Sequence, residues 1–305
     1  MEENNSSNIP EFLTIMLKKQ YGEDITKNII KGYGVDRKTT LRVNNLKSNI
    51  NEIKERLLKE KIQYNEISWS KDAIVINEND PISKLDIYED GKVYLQSLSS
   101  MLPPIILNPK EKENILDMAA APGSKTTQIA SITNNNSYIT ACEINNIRAE
   151  RLKYNIEKQG VNCAFVMVKD ARKLDDFFSF DKILLDAPCS GSGTISLKNE
   201  NLQKVFTEKL IHKSAEVQLA LLKKAIKLLK PGGEMVYSTC SVLSIENEEI
   251  VEKALKGTKA KIVPIENDEL VKELPLLPVK IEGTLCVAPN ELYEGFFIAK
   301  IRKDV

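Results

Sequence analysis

The sequence predicts an α/β protein, with a mostly parallel, doubly wound sheet preceded by a small α+β domain. Three observations support this. From Asn114 onward, short apolar runs alternate with longer helical stretches, the pattern of strands joined by crossover helices. Before about residue 105 the order is helix, strand, helix and then several short strands, which describes a compact α+β unit. The length of 305 residues suits one large domain with a small one beside it. The expected division is 1–105 for the small unit and 106–305 for the large one.

The chain opens on Met1-Glu-Glu-Asn-Asn-Ser-Ser-Asn8, polar and acidic, without the basic and apolar regions of a secretory signal. Phe12-Leu-Thr-Ile-Met-Leu17 starts a helix. Thr40-Leu-Arg-Val-Asn44 is a strand, because Leu41 and Val43 alternate with polar neighbours. Asn51-Glu-Ile-Lys-Glu-Arg-Leu-Leu58 is a helix with Ile53, Leu57 and Leu58 on one stripe. Strands at Ile62–Ile67, Ala73–Ile76 and Lys92–Leu95 complete the small unit. In the large unit the predicted strands are Ile115–Asp117, Ser137–Ala141, Cys163–Val168, Lys182–Asp186 and Glu234–Tyr237. The helices between them are Ser124–Ala130, Ile147–Gln159 and Glu216–Leu229, and Pro231-Gly232-Gly233 is expected to stop the last one.

Composition narrows the chemistry. Hydrophobic residues make up 42% and charged residues 28%, a globular balance that argues against disorder. No apolar run approaches the roughly 18 residues that a membrane span needs, so a soluble, cytoplasmic protein is expected. The five cysteines, Cys142, Cys163, Cys189, Cys240 and Cys286, have neither disulfide-framework nor zinc-site spacings. With His212 the single histidine, no metal site and no His-based triad is expected. Chemistry must run on Cys, Asp, Glu or Lys. Lys plus Arg equals Asp plus Glu at 43 each, so bulk charge does not favour nucleic acid, although a local basic face can suffice.

In such sheets, ligands bind beyond the carboxyl ends of the strands. The first strand of the large unit runs into Asp117-Met-Ala-Ala-Ala-Pro-Gly-Ser-Lys125. Small residues let the backbone approach a ligand, and a helix starting near Ser124 offers free amides. The loop is neither a dinucleotide fingerprint nor a P-loop, and alone it is equally well a tight turn. Its company changes that reading. Glu143 ends the second strand about 20 residues after Gly123, placed to accept the ribose hydroxyls of a nucleoside. Asp170 closes the third, suited to an adenine amine. Two cysteines follow at further strand ends, in Asp186-Ala-Pro-Cys-Ser-Gly191 and Ser238-Thr-Cys-Ser241. A single cysteine is usually a small buried hydrophobe, but two at equivalent strand ends, one beside Asp186, are harder to dismiss. A thiol needs a positive or amide-rich setting to become a nucleophile, and Lys125 is the nearest candidate to supply it.

These motifs resemble the Sun/Nop family of RNA cytosine-5 methyltransferases. The likeness rests on Asp117 to Lys125, Asp186 to Gly191, and Ser238 to Ser241 with Glu246-Asn-Glu248. It extends to Thr40–Asn44, Tyr94-Leu-Gln-Ser-Leu-Ser-Ser100 and Glu294-Gly-Phe-Phe-Ile-Ala299, in order, over nearly the whole chain. It departs from the usual pattern at Ser124, commonly glycine, and Ala119, commonly cysteine. The stretch after Gly193 lacks the arginine-rich, tryptophan-containing pattern often seen there. The resemblance implies a Rossmann-like class I methyltransferase fold with a small RNA-recognition-like N-terminal domain. It implies S-adenosylmethionine as cofactor, bound by Ala119, Ala120, Ala121, Pro122, Gly123, Ser124, Lys125, Glu143, Asp170 and Asp186. It further implies that Cys240 attacks carbon 6 of cytosine, that Cys189 helps release the product, and that Asp186 and Lys125 serve the same pocket. Thiolate addition turns an unreactive ring into an enamine-like nucleophile at carbon 5.

RNA is the expected partner, ribosomal before transfer RNA because the likeness is to bacterial members, and a monomer is the expected state. No further RNA-binding domain is expected at either end. Lys204, Lys209, Lys213, Lys223, Lys224 and Lys227 form either a phosphate-binding face or a solvated helix surface. Trp69 is expected in a core rather than stacking on a base, and His212 on a helix surface. Two competing readings stay open from sequence. One is a DNA cytosine-5 methyltransferase with Cys189 as nucleophile. The other is a catalytically idle RNA-binding assembly factor that keeps the fold.

Overall fold

The computed structural model of the chain describes residues 8–77, 82–266 and 268–305. The polar opening at 1–7 lies outside the described residues. Helix α1, Glu11–Gly34, leads into a β-α-β-β-α-β unit. Its elements are β1 (Thr40–Val43), α2 (Ile50–Lys59), β2 (Tyr64–Ile67), β3 (Ser70–Ile76), α3 (Asp86–Glu89) and β4 (Val93–Leu95). The four strands are antiparallel in the order β2-β3-β1-β4. Alternation sorts their two faces. Leu41 and Val43 pack with Ile53 and Leu57 of α2, while Arg42, 3% exposed, points the other way and donates to Thr127 Oγ1 at 3.0 Å. Burial pushes the Arg42 pKa down to about 10, so it still carries its charge at neutral pH.

The second sheet is mixed and mostly parallel. Helix α4 (Leu98–Leu107) leads to β5 (Asn114–Asp117), α5 (Ser124–Ile132), β6 (Tyr138–Glu143), α6 (Asn146–Lys158), β7 (Ala164–Val168) and β8 (Phe180–Asp186). Then come α7 (Leu202–Val205), α8 (Glu208–Leu228), β9 (Leu229–Thr239), α9 (Glu248–Leu255), β10 (Ala260–Ile262), α10 (Asp268–Glu273), β11 (Leu285–Val287) and β12 (Phe296–Lys303). The order is β10-β12-β9-β8-β5-β6-β7, with β11 paired to β12. Strands β5 to β9 run parallel, and β12 returns antiparallel to β9. Alternate residues feed two cores. Leu116, Leu185, Tyr237 and Phe297 face α1 and α8, while Ile115, Leu184, Val236 and Ile298 face α4, α5 and α6. This is the doubly wound sheet that the alternating pattern predicts. No described helix is long and apolar enough to cross a membrane.

Three elements differ from expectation. Helix α1 runs far past Leu17 although Gly22 interrupts it at φ 80° and ψ 178°. Its glycines hide the helix from a propensity argument, and tertiary packing supplies the stability: Leu13, Leu17, Ile29 and Tyr33 are buried in the large sheet's core. Helix α4 carries Pro103 and Pro104 inside, and eight of its residues are buried. Pro231-Gly232-Gly233 follows the end of α8 as expected but lies within β9, which starts at Leu229 rather than at Glu234. Helix α8 ends at Leu228, and the pairing of β8 with β9 jumps from Phe180↔Leu229 to Lys182↔Glu234, so the extra residues bulge out. Trp69 is in the core at 8% exposure, its Nε1 donating to Tyr293 OH at 3.0 Å. His212 is exposed on α8.

Candidate active site

Because β5 to β9 are parallel, their carboxyl ends share one edge of the sheet, and the loops leaving them meet there. A cleft of about 330 Å³ opens at that edge, and Ala119, Ala121, Glu143, Asp170, Asp186, Cys189 and Cys240 all line it. Asp186 and Ser238 stand opposite each other on β8 and β9, so Cys189 and Cys240 leave neighbouring strands side by side. Their sulfurs are 2.8 Å apart. The Ala187 N–H donates to the Ser238 carbonyl at 2.8 Å and the Gly193 N–H to the Cys240 carbonyl at 2.9 Å, which pins the two turns together. Gly193 in turn touches Gly295. A methyl group on Gly193 would stand 1.9 Å from the Gly295 carbonyl oxygen, so only glycine fits. The hydrogen bond to Cys240, then burial, hold the Cys189 thiol well above the ordinary thiol range. Cys189 therefore holds its proton within hydrogen-bond distance of the Cys240 sulfur.

Asp186 and Lys125 form the polar floor beside the sulfurs. Lys125 Nζ is 2.7 Å from Asp186 Oδ2 and donates to Ser100 Oγ at 2.7 Å. Ser238 Oγ donates to Asp186 Oδ1 at 2.8 Å. Lys125 is 8% exposed, so the ion pair is largely desolvated and its geometry narrowly set. On the other side of the cleft Glu143 is 3% exposed. Its Oε1 accepts the Asn145 N–H at 2.9 Å, and its Oε2 lies 3.5 Å from Arg148, which also donates to the Ala121 carbonyl at 2.8 Å. Asp170 is gripped by Arg172, through Nε to Oδ1 at 2.9 Å and Nη2 to Oδ2 at 2.8 Å, a pairing that depresses its pKa. Beneath the loop, burial raises the Asp117 pKa to about 6, although Thr126 Oγ1 donates to it at 2.7 Å.

The expected cofactor residues divide into two groups. Ala119, Ala121, Glu143, Asp170 and Asp186 line the cleft, whereas Ala120, Pro122, Gly123, Ser124 and Lys125 do not. Ala120 donates its N–H to the Cys142 carbonyl, the Pro122 carbonyl accepts from Asn155 Nδ2, and Gly123 adopts φ 110° against Leu152. Lys125 reaches the site only through Asp186. Several lining residues escape motif reasoning. Ile144, Arg148 and Arg172 follow the strand-end acids closely and were within reach of it, but Val217 and Leu221 arrive on α8 from a distant stretch that carries no motif. The cleft fits an adenosyl group. Its volume lies in the range of small-molecule sites, alanines leave the loop backbone accessible, a buried carboxylate can take a ribose diol, and Ile144, 62% exposed, offers an apolar face.

Comparison with known proteins agrees with this geometry. The sequence model of the family described as 16S rRNA methyltransferase RsmB/F matches residues 104–302. That of the RsmF/B-like ferredoxin-like domain matches residues 9–83. A tRNA (cytosine(49)-C(5))-methyltransferase of Pyrococcus abyssi is 40% identical over 274 residues, covering 87% of this chain and 88% of the relative. Ribosomal RNA small subunit methyltransferase F of Vibrio campbellii is 36% identical over 273 residues, which are 87% of this chain and 56% of the relative. The chain therefore spans little more than half of that enzyme. The crystal structure of NSun6 from Pyrococcus horikoshii with SFG, an S-adenosylmethionine analogue, superposes with a TM-score of 0.86 at 26% identity, covering 97% of this chain and 98% of that one. The paired cysteines, the strand-end acids and these matches lead to one conclusion: the chain belongs to the RsmB/F family of S-adenosylmethionine-dependent methyltransferases.

Proposed function

We propose that the chain methylates carbon 5 of a cytidine in RNA through a covalent adduct with Cys240. The observation that carries the reading is the pair of sulfurs 2.8 Å apart in the cleft that Glu143 and Asp186 also line. Bound along Ala119, Ala121 and Glu143, S-adenosylmethionine supplies an electrophilic methyl group. Cys240 gives its proton to solvent water as its sulfur adds to carbon 6 of the cytosine, and the carbon 6–sulfur bond forms as ring electrons shift towards carbon 5 and the ring nitrogen. Asp186, anchored by Lys125 and Ser238, hydrogen-bonds the ring nitrogen or amine and stabilises the adduct. After methylation a water molecule takes the carbon 5 proton, the electrons of that carbon–hydrogen bond re-form the carbon 5–carbon 6 double bond, and the carbon 6–sulfur bond breaks with its electrons returning to Cys240. Cys189, donating to the departing Cys240 sulfur, stabilises it as a thiolate. Asp170 and Arg172 border the adenine end.

The small sheet at 40–95 serves as the RNA-guiding part of the 1–105 segment, while α1 belongs with the large core. The substrate is ribosomal or transfer RNA. Near full-length likeness to a tRNA enzyme and partial likeness to rRNA enzymes make both arms necessary in any assay. The same reading describes a cytoplasmic monomer, which sedimentation of the purified chain checks.

The two cysteines separate this mechanism from its reverse. Cys240→Ala should be inactive and leave no protein-linked RNA. Cys189→Ala should still attack and methylate but fail to release, giving a ribonuclease-sensitive retarded band on a denaturing gel. Conjugate from Cys240→Ala and none from Cys189→Ala would reverse the assignment. Conjugate from neither would remove covalent catalysis.

A further inference from the structure

Behind the two cysteine turns lies a buried carboxylate that the reaction above does not use. Glu246 is 0% exposed. Its Oε1 accepts the Ser190 N–H at 2.7 Å and Gln218 Nε2 at 3.3 Å, and its Oε2 accepts Ser190 Oγ and Ser241 Oγ, both at 2.6 Å. Ser190 follows Cys189 in the chain and Ser241 follows Cys240, so one carboxylate is bonded to the residue beside each sulfur. Gln218, from α8, also donates to the carbonyl of Pro188, just before Cys189, at 3.0 Å. The Glu246 backbone is held as well: Tyr237 OH donates to its carbonyl at 2.6 Å, and its N–H donates to the Leu243 carbonyl at 3.0 Å.

Burying a carboxylate costs several kcal/mol unless its partners compensate, and among the described residues no cation pairs with Glu246. Four neutral donors converge on it instead. A glutamine would serve less well, because its single oxygen can take the Ser190 N–H and Gln218 only while the Ser190 and Ser241 hydroxyls turn from donating to accepting. The site therefore favours an acceptor with two oxygens, shared between two turns whose separation matters to the chemistry. Its charge also adds to the forces keeping the proton on Cys189.

We propose that Glu246 is a positioning residue that sets the separation of the Cys189 and Cys240 sulfurs and so governs release of the adduct. It touches neither substrate nor reacting atoms and acts through Ser190 and Ser241. The proposal rests on the roles given to the two cysteines above. The test therefore includes a readout that needs no RNA.

Glu246→Gln and Glu246→Ala are compared with the unaltered chain in three measurements: methyl transfer to RNA, S-adenosylmethionine affinity, and oxidation by diamide. In the last, diamide takes two electrons and two protons from the thiol pair as a Cys189–Cys240 disulfide forms, and peptide mass spectrometry follows its rate. A loosened clamp should slow disulfide formation about tenfold or more, since sulfurs held together react at high effective concentration. Turnover should fall about tenfold to a hundredfold, the scale of an ångström-sized misplacement, with cofactor affinity unchanged and protein-linked RNA accumulating. In a Cys189→Ala background Glu246→Gln should add no further accumulation of conjugate and no further loss of turnover, because the spacing it sets no longer has a second sulfur to act on. Where a Glu246 variant does not bind cofactor, Ser190→Ala and Ser241→Ala, which each remove one donor, carry the same test. Disulfide formation and turnover within twofold of the unaltered chain would overturn the proposal, as would a loss that multiplies in full with Cys189→Ala. A slowed disulfide in a protein without RNA methylation would uphold the clamp and refute the assigned reaction instead.

Discussion

Replacing Glu143 by Ala isolates the cofactor half of the site. The carboxylate is 3% exposed, so its hydrogen bonds to a ribose diol form away from bulk water. Two charge-assisted bonds of about 1.5–3 kcal/mol each would be lost. A water entering the space left by the side chain recovers part of this, leaving a net loss of about 2–4 kcal/mol, roughly 30-fold to 1,000-fold in Kd. Little of the change should come from a stranded partner. Arg148, at 3.5 Å, has a side chain 53% exposed and keeps its bond to the Ala121 carbonyl, and the Asn145 N–H loses one acceptor, costing folding about 1 kcal/mol. Calorimetric titration of S-adenosylmethionine into both proteins reads the affinity, and thermal denaturation without ligand reads the fold. A Kd within twofold of the unaltered chain, in a variant that melts normally, would remove Glu143 from the ribose site.

Two further outcomes follow from charge and burial. Asp117 ionises near 4 when unfolded and at about 6 when folded, so folding favours its protonated form. The stability this contributes is fully present below about pH 4 and is lost as pH rises through about 6, on the order of 3 kcal/mol. Asp117→Asn keeps an acceptor for Thr126 and escapes that loss, so its melting temperature relative to the unaltered chain should climb between pH 4 and pH 7; a pH-independent gap would refute the burial argument. Among the α8 lysines, Lys224 and Lys227 are already paired with Asp176, whereas Lys209 and Lys213 are exposed on the helical row that continues to Val217 and Leu221 at the cleft. Replacing Lys209 and Lys213 by Ala should weaken RNA binding and flatten its salt dependence by about 0.7–0.9 log units per lost contact, while the Lys224 and Lys227 pair should change little. Equal effects from both pairs would place the RNA elsewhere.

By itself the sequence determined what is local and periodic. Alternation marked β1, and strand-helix alternation marked the doubly wound sheet, because one face of each element must be apolar to bury. Strand-end residues such as Glu143, Asp186, Cys189 and Cys240 were legible because a parallel sheet delivers its carboxyl ends to one place. Tertiary structure decided what depends on contacts between distant segments. Helix α1 exists despite its glycines because Leu13, Leu17, Ile29 and Tyr33 have a sheet to pack on, and α4 tolerates two prolines because its surroundings bury it. Ala120 and Pro122 are held out of the cleft lining by bonds to Cys142 and Asn155 that no spacing announces. Val217, Leu221 and Gln218 reach the site only because α8 crosses behind it. The 2.8 Å meeting of the two sulfurs, and the carboxylate of Glu246 joining their turns, needed the β8–β9 register, since residues about 50 apart become neighbours only when those strands pair.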